Sequence, residues 1–269
     1  MINGQKIGCG IVTFNRPEGL AKLYASLPHD LLDCLVIVND GNWYEEFDSY
    51  QQCTILDNGV NLGVGKSKNK ALAFMLEAGC EHIFLIEDDI FIRDPSVFER
   101  YILASQLTGI QHFNYSQHGL MNRTPDGNPL SRCVIDYGNG IKVPLFPHCV
   151  GAFSYYSRAC LESVGLIDET FHNAFEHVDH TLCVIMHAMH PPFWFFADIE
   201  NSQLYLGDEL WSVEQSTISS AQSHRDNVIQ GLAYFKEKNG HLPNNMPLAG
   251  GDEVIASVQH IQRTYGMTF

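Results

Sequence analysis

The stretch that most constrains this chain is His82-Ile83-Phe84-Leu85-Ile86-Glu87-Asp88-Asp89-Ile90-Phe91-Ile92. Its first part is short, aromatic and branched, and it follows Gly79, which stops a helix, so it predicts a strand buried on both faces. A buried strand does not close on three like charges without compensation. Either the triplet is solvated at a sheet edge or it meets a cation. A hard divalent ion bound through oxygens, Mg²⁺ or Mn²⁺, relieves the repulsion and leaves positions for phosphate oxygens. Open α/β sheets place their ligands at the carboxyl ends of parallel strands, so a metal-diphosphate site is expected there.

The segments around it alternate strand and helix. Ile7 to Phe14 reads as a first buried strand, followed by a helix with Pro17 in its first turn and Asn15 or Arg16 as cap. Leu35 to Asn39 and Cys53 to Leu56 read as further strands, Ala71 to Leu76 as a helix, and Asp94-Pro95 as the opening of another. This predicts an α/β unit with a mostly parallel sheet over the first hundred or so residues. Beyond Ile110 the texture changes. Gly138-Asn139-Gly140 joins two short apolar runs as a hairpin, Cys149 to Tyr156 and Phe193 to Phe196 read as strands, and the tail carries helices around Val228–Phe235 and Val254–Ile261.

Charge narrows the partners. A formal net charge of −15 disfavours a broad nucleic-acid groove or an anionic membrane surface. Yet Lys66, Lys68 and Lys70 fall within five positions after Asn61-Leu62-Gly63, so a local anion site at a helix start is compatible with an acidic protein. Gly65-Lys66-Ser67 is not a P-loop, because Val60 stands where the first glycine is needed. Thirteen histidines include His177-x-x-His180 and His187-x-x-His190, but no H-E-x-x-H, and Asn173 breaks the H-x-x-E-H order. Eight scattered cysteines without a C-x-x-C pair fit reduced thiols. With no run of membrane-span length and no signal-peptide pattern, the expected location is the cytoplasm.

Taken in order, five pieces resemble family 2 glycosyltransferases, enzymes of the GT-A type that move a sugar from a nucleotide diphosphate donor. They are Val12-Thr13-Phe14-Asn15-Arg16, Val38-Asn39-Asp40-Gly41, Asn61-Leu62-Gly63 through Asn69, Glu87-Asp88-Asp89 in place of the D-x-D element, and Gly165-Leu166-Ile167-Asp168-Glu169 followed by Glu176-His177-Val178-Asp179. The resemblance covers roughly residues 7 to 200. It implies a Rossmann-like, mostly parallel central sheet with flanking helices and a smaller antiparallel part on the acceptor side. Residues 1–206 would form the transferase domain, with a nucleotide-sugar half (1–109) and an acceptor half (110–206), and 207–269 a helical extension packed on it.

The same resemblance implies site residues. Thr13, Asn15 and Asp40 would contact the nucleoside of a UDP-, GDP- or dTDP-sugar, and Gly63 to Asn69 would line the diphosphate, with Lys66 as its cation. Asp89 would bind Mn²⁺ or Mg²⁺, with Glu87 and Asp88 helping or orienting hydroxyls and His224 completing the metal shell. The family's base is usually the second acid of an E-D pair, where this chain has His177. Histidine titrates near neutrality and can take the proton of an attacking hydroxyl. Glu176 and Asp179 stand beside it as alternatives. The acceptor is read as a glycan or another hydroxyl compound. A hydroxymethylated DNA base is a less favoured acceptor given the charge, and a non-catalytic sugar-binding protein is the reading outside enzymes. A sugar-phosphate nucleotidyltransferase would need a longer glycine-rich basic loop after the first strand.

Overall fold

The structure is a computed structural model, and it describes residues 4–138, 140–209 and 224–267. Strands β1 (Ile7–Thr13), β2 (Cys34–Asn39), β3 (Thr54–Asp57) and β4 (His82–Glu87) lie parallel, β9 (Phe153–Ser157) runs antiparallel beside β4, and β6 (His112–Asn114), antiparallel to β9, takes up the first direction again. The strand order is β3-β2-β1-β4-β9-β6, so it reverses at β1, with β2 on one side and β4 on the other. That reversal opens a crevice at the carboxyl ends of β1 and β4.

Period-two alternation divides the strands between two cores. Ile7, Cys9, Ile11, Phe84 and Ile86 face one layer, with α1 (Pro17–Ser26), α3 (Ser96–Thr108) and α7 (Gly251–Tyr265). Val12, Ile83 and Leu85 face the other, with α2 (Val64–Glu77), α4 (Arg158–Val164) and α5 (Glu176–Met186). Gly10 lets α2 come close, because a Cβ there would sit 2.8 Å from both Ala71 Cβ and Met75 Cε.

Smaller strands frame the crevice. β7 (Cys133–Gly138), β8 (Ile141–Phe146) and β10 (Phe196–Ala197) form an antiparallel sheet, and Asn139 of the expected hairpin lies outside the described residues. β5 (Ile90–Ile92) leaves the sheet after the acidic turn and pairs with β11 (Leu206–Asp208), so the boundary expected between 206 and 207 falls inside a strand. The tail supplies α6 (His224–Asn239) and α7. No described helix is long and apolar enough to cross a membrane.

Three local expectations are corrected. Cys149 to Tyr156 is strand only from Phe153: the Ala152 carbonyl still accepts from Glu87 N at the end of β4, but the Gly151 carbonyl turns to Lys68 Nζ. Phe193 to Phe196 is not a strand: Trp194 has φ +74, Phe195 N bonds back to the Pro192 carbonyl, and only Phe196 reaches a ladder. Of the two residues expected to cap α1, Arg16 holds the N-cap position, by its backbone carbonyl rather than its side chain, and Asn15 does not. The Arg16 side chain turns to Asp88 instead.

Buried histidines make the fold acid-sensitive. Burial pushes His82 and His190 down to about 4, and burial, then the neighbouring His190, pushes His112 well below its ordinary value. Unfolding frees these groups to bind protons below their ordinary pKa of 6.5, while the folded chain resists. Stability is therefore expected to fall as pH drops from 6.5 towards 4, each group adding a slope of up to about 1.4 kcal/mol per pH unit. Urea midpoints taken between pH 7.5 and 4.5 check this, and a flat profile over that window contradicts it.

Candidate active site

The acidic triplet closes β4 at the crevice, and its three side chains go three ways. Asp88 turns inward and is 5% exposed. It accepts hydrogen bonds from Thr13 Oγ1 at 2.7 Å and Arg16 Nη1 at 3.0 Å. Burial raises its pKa to about 7 against the pull of Arg16, with Asp89 adding to the rise. Thr13, expected at the nucleoside, is thus a buried anchor for Asp88.

Helix α1 presses on the same turn. A Cβ on Gly19 would overlap the Asp88 carbonyl oxygen, which is backbone and has no rotamer to escape into. By helix propensity alone Gly19→Ala should stabilise, by about 1 kcal/mol. The clash reverses the sign, and a loss of about 1–3 kcal/mol is expected in urea unfolding. A variant as stable as the parent would show that this contact does not constrain the turn.

Asp89 is the member left facing the crevice. Its Oδ2 lies 3.5 Å from Arg16 Nη1 and 3.6 Å from His118 Nε2, and its Oδ1 is buried with no hydrogen-bond partner among the described residues. His118 Nδ1 is 2.7 Å from Asp208 Oδ1, and Arg123 Nη2 approaches Asp208 at 3.6 Å. Burial opposes the charge on His118, but Asp89 and Asp208 hold its pKa up at about 9. His118, Arg123 and Asp208 were missed from the sequence. Asp208 lies some eighty-five residues beyond Arg123 in the chain, and only the pairing of β11 with β5 brings it beside Ile90.

Glu87 goes the third way, to Lys68. The buried Lys68 ammonium lies 2.7 Å from Glu87 Oε1 and 3.1 Å from Glu176 Oε1, and donates to the Gly151 carbonyl at 3.3 Å. Burial opposes its charge, yet the two carboxylates hold its pKa above the ordinary lysine value. Glu176 is correspondingly held below the usual carboxylate range: burial works against this, and Lys68 and His177 overcome it. His177 Nδ1 is 3.1 Å from Glu176 Oε1. One chain of ion pairs therefore runs from the acidic turn through Lys68 to Glu176, which His177 faces.

Other expected residues fall differently. Lys66 points to solvent, because the helical period of α2 turns Ser67 and Lys68 inward instead. Asp40 is buried, with its oxygens accepting from Asn58 Nδ2, Leu62 N and Gly63 N, so it shapes the loop entering α2. Gly63 has φ +92 and lies against His172. Asn15, at φ +56, accepts from Asn42 N and Tyr44 Oη beside the end of β2. Asp179 is 1% exposed and bound to Lys238 at 2.7 Å and Asn239 at 3.0 Å, so its carboxylate secures α6 to α5 rather than standing free as a base.

The three residues expected around a metal are not gathered. Glu87 is turned to Lys68, and His224 opens α6, with no described contact joining it to the triplet. Among the described residues no set of three or more His, Cys, Asp or Glu side chains is arranged to hold a metal ion. What fits a divalent cation is narrower: the buried, unpartnered Asp89 Oδ1, a hard oxygen donor.

Beside His177 lies an open pocket of about 290 Å³, walled by Phe175, Val178, Phe193 and Trp194. Phe175 and Trp194 hold left-handed backbone conformations, at φ +68 and +74. Such conformations cost a non-glycine residue about 1–3 kcal/mol and cluster at functional sites.

No protein-family model matches this chain, and no curated protein matches its sequence. Solved structures match its fold. TarS of S. aureus is 14% identical over 97% of this chain, at TM-score 0.54. The mannosyltransferase PcManGT from Pyrobaculum calidifontis, in complex with GDP-Man and Mn²⁺, is 13% identical over 98% of this chain and 76% of its own, at TM-score 0.57. Glucosyl-3-phosphoglycerate synthase from Mycobacterium tuberculosis, in complex with Mn²⁺, UDP and phosphoglyceric acid, is 12% identical over 92% of this chain and 81% of its own, at TM-score 0.51. The chain spans 44% of the length of that TarS chain. With its sheet order and flanking helices, the protein adopts the GT-A fold.

Proposed function

We propose that this protein is a glycosyltransferase that moves a sugar from a nucleotide diphosphate donor to an acceptor hydroxyl. The observation that carries the reading is the divided triplet at the crevice: Asp88 locked by Thr13 and Arg16, and Asp89 left with a buried oxygen that no group among the described residues satisfies. The nucleotide, nucleotide-sugar and Mn²⁺ ligands in the structures of similar fold support it.

In this reading Asp89 would hold Mn²⁺ or Mg²⁺, which would supply Lewis-acid stabilisation of the charge growing on the departing diphosphate. Arg16 and His118 add positive charge at the same corner. Thr13 and Asp40 act through what they hold, the Asp88 carboxylate and the loop to Gly63, while Asn15 and Gly63 border the nucleoside side and Lys66 reaches the phosphates from the rim. His177 is the base. Its Nδ1 faces the Glu176 carboxylate, which keeps a proton on Nδ1 and leaves the Nε2 lone pair for the acceptor hydroxyl. Because Glu176 is tied to Lys68 it is not free as a nucleophile, which suits direct displacement with inversion.

Incubation with UDP-, GDP- and dTDP-sugars and Mn²⁺ tests the reading. Slow release of nucleoside diphosphate is expected from one of them. A protein that binds a nucleotide sugar but releases none with any acceptor offered is a binding module instead.

A further inference from the structure

The pocket beside His177 has a composition that a polyhydroxylated ligand does not suit. Its walls are Phe175, Val178, Phe193, Trp194 and Phe196, and among the described residues no aspartate, glutamate, lysine or arginine lines it. Sugar rings need planar polar side chains for their hydroxyls, because each hydroxyl desolvated without a partner loses free energy. Here the polar groups are few: His177, His148 and Asn244 with the Cys149 thiol. The aromatic cluster is rigid. Phe193 stands edge-on to Trp194 and to Phe196, at centroid separations of 5.2 and 5.1 Å, and the Trp194 indole N–H donates to the Met246 carbonyl at 2.8 Å. Apolar surface continues outward through Met121 at the mouth, which is 63% exposed, and the adjacent Leu120, which is 73% exposed. An unpaired apolar lining with an apolar exit matches an apolar ligand, since burial of its surface is the main favourable term on offer.

We infer that this pocket binds the apolar part of the acceptor, an uncharged alkyl or aryl group that carries the reacting hydroxyl, directly or through one sugar, to His177. This rests on the glycosyltransferase reading for the word acceptor, while the pocket's preference for apolar groups does not. Phe175 immediately precedes Glu176 and His177, so the residue that shapes the wall also sets where the base begins.

The test uses octyl, phenyl and methyl β-glucosides as probes, each below its aggregation limit, with binding to the full chain followed by saturation-transfer NMR and calorimetry. Octyl and phenyl glucosides should bind at least about tenfold tighter than the methyl compound, the equivalent of burying two or so methylenes. Saturation should be strongest on the alkyl or aryl protons. Trp194→Ala and, separately, Val178→Asp should abolish the preference, the second by placing a charge in the wall without removing an aromatic anchor. UDP and GDP binding, measured in parallel with Mn²⁺, should be unchanged in both variants. Equal affinity for the three glucosides, or a preference that survives in a folded Val178→Asp protein, overturns the inference even where nucleotide binds. An apolar preference lost in both variants, in a protein that binds no nucleotide, supports the pocket and overturns the transferase reading instead.

Discussion

Lys68→Met is expected to destabilise the protein by about 3–5 kcal/mol, the usual loss when one member of a buried charge group is removed and its partners stay behind. Lys68 is 1% exposed and lies against two carboxylates, Glu87 at 2.7 Å and Glu176 at 3.1 Å. Methionine preserves the apolar stem but leaves Glu176, 3% exposed, with only His177 to neutralise it. The double variant Lys68→Met/Glu176→Gln should recover part of the loss, since it removes one stranded charge together with the cation. The pH response distinguishes this from simple loss of packing. Glu176 has a folded pKa below its ordinary 4.5, so in the parent it adds stability above that pH and loses it as pH falls. Without Lys68 that pKa should rise, and the variant's deficit should shrink as pH drops towards 5. A deficit below about 1 kcal/mol in urea, or one independent of pH, would mean that the charges are solvated rather than buried.

Asp89→Ala is expected to lower turnover by at least about a thousandfold while leaving the fold intact. Losing one preorganised group that stabilises transition-state charge typically costs about a hundred- to a thousandfold, and here the metal's protein ligand would be lost with it. The backbone bond from Glu209 N to the Asp89 carbonyl survives the substitution, and Arg16 keeps Asp88 while His118 keeps Asp208. Burial, reinforced by Glu87, already raises the pKa of Asp89, so its removal relieves an unfavourable charge and stability should change little. Nucleoside diphosphate binding should lose its dependence on Mn²⁺. Near-parental activity in the variant would remove Asp89 from the metal and with it the proposed chemistry of the crevice.

Much of this was legible because it follows from local periodicity. The run from His82 to Ile86 reads as a strand buried on both faces, and alternate residues do enter the two cores. Helix α4 ends before Gly165, as its glycine indicates, whereas α2 begins at Val64, seven residues ahead of the expected start at Ala71. The site was legible in its position, at the end of β4, and less so in its wiring. Lys66 looked like the cation by its place in the motif, but which lysine of a helix faces inward depends on the neighbour it packs against, and that neighbour is α5, more than a hundred residues away. Asp179 stands two residues from His177 and looked equally available, yet α6 claims it.

What the chain determined by itself, then, is the alternation of strands and helices and the three acids placed at the end of a buried strand. These depend on residues close in sequence, whose hydrophobic period and turn chemistry act within a few positions. Only the tertiary structure decided that Glu87, Asp88 and Asp89 would face Lys68, Arg16 and His118 in turn, and that two aromatic residues in left-handed conformations would wall a pocket beside His177. Those outcomes depend on charges and rings from distant segments, and the free energy of a buried charge is set by whichever counter-charge the fold brings within a few ångströms of it.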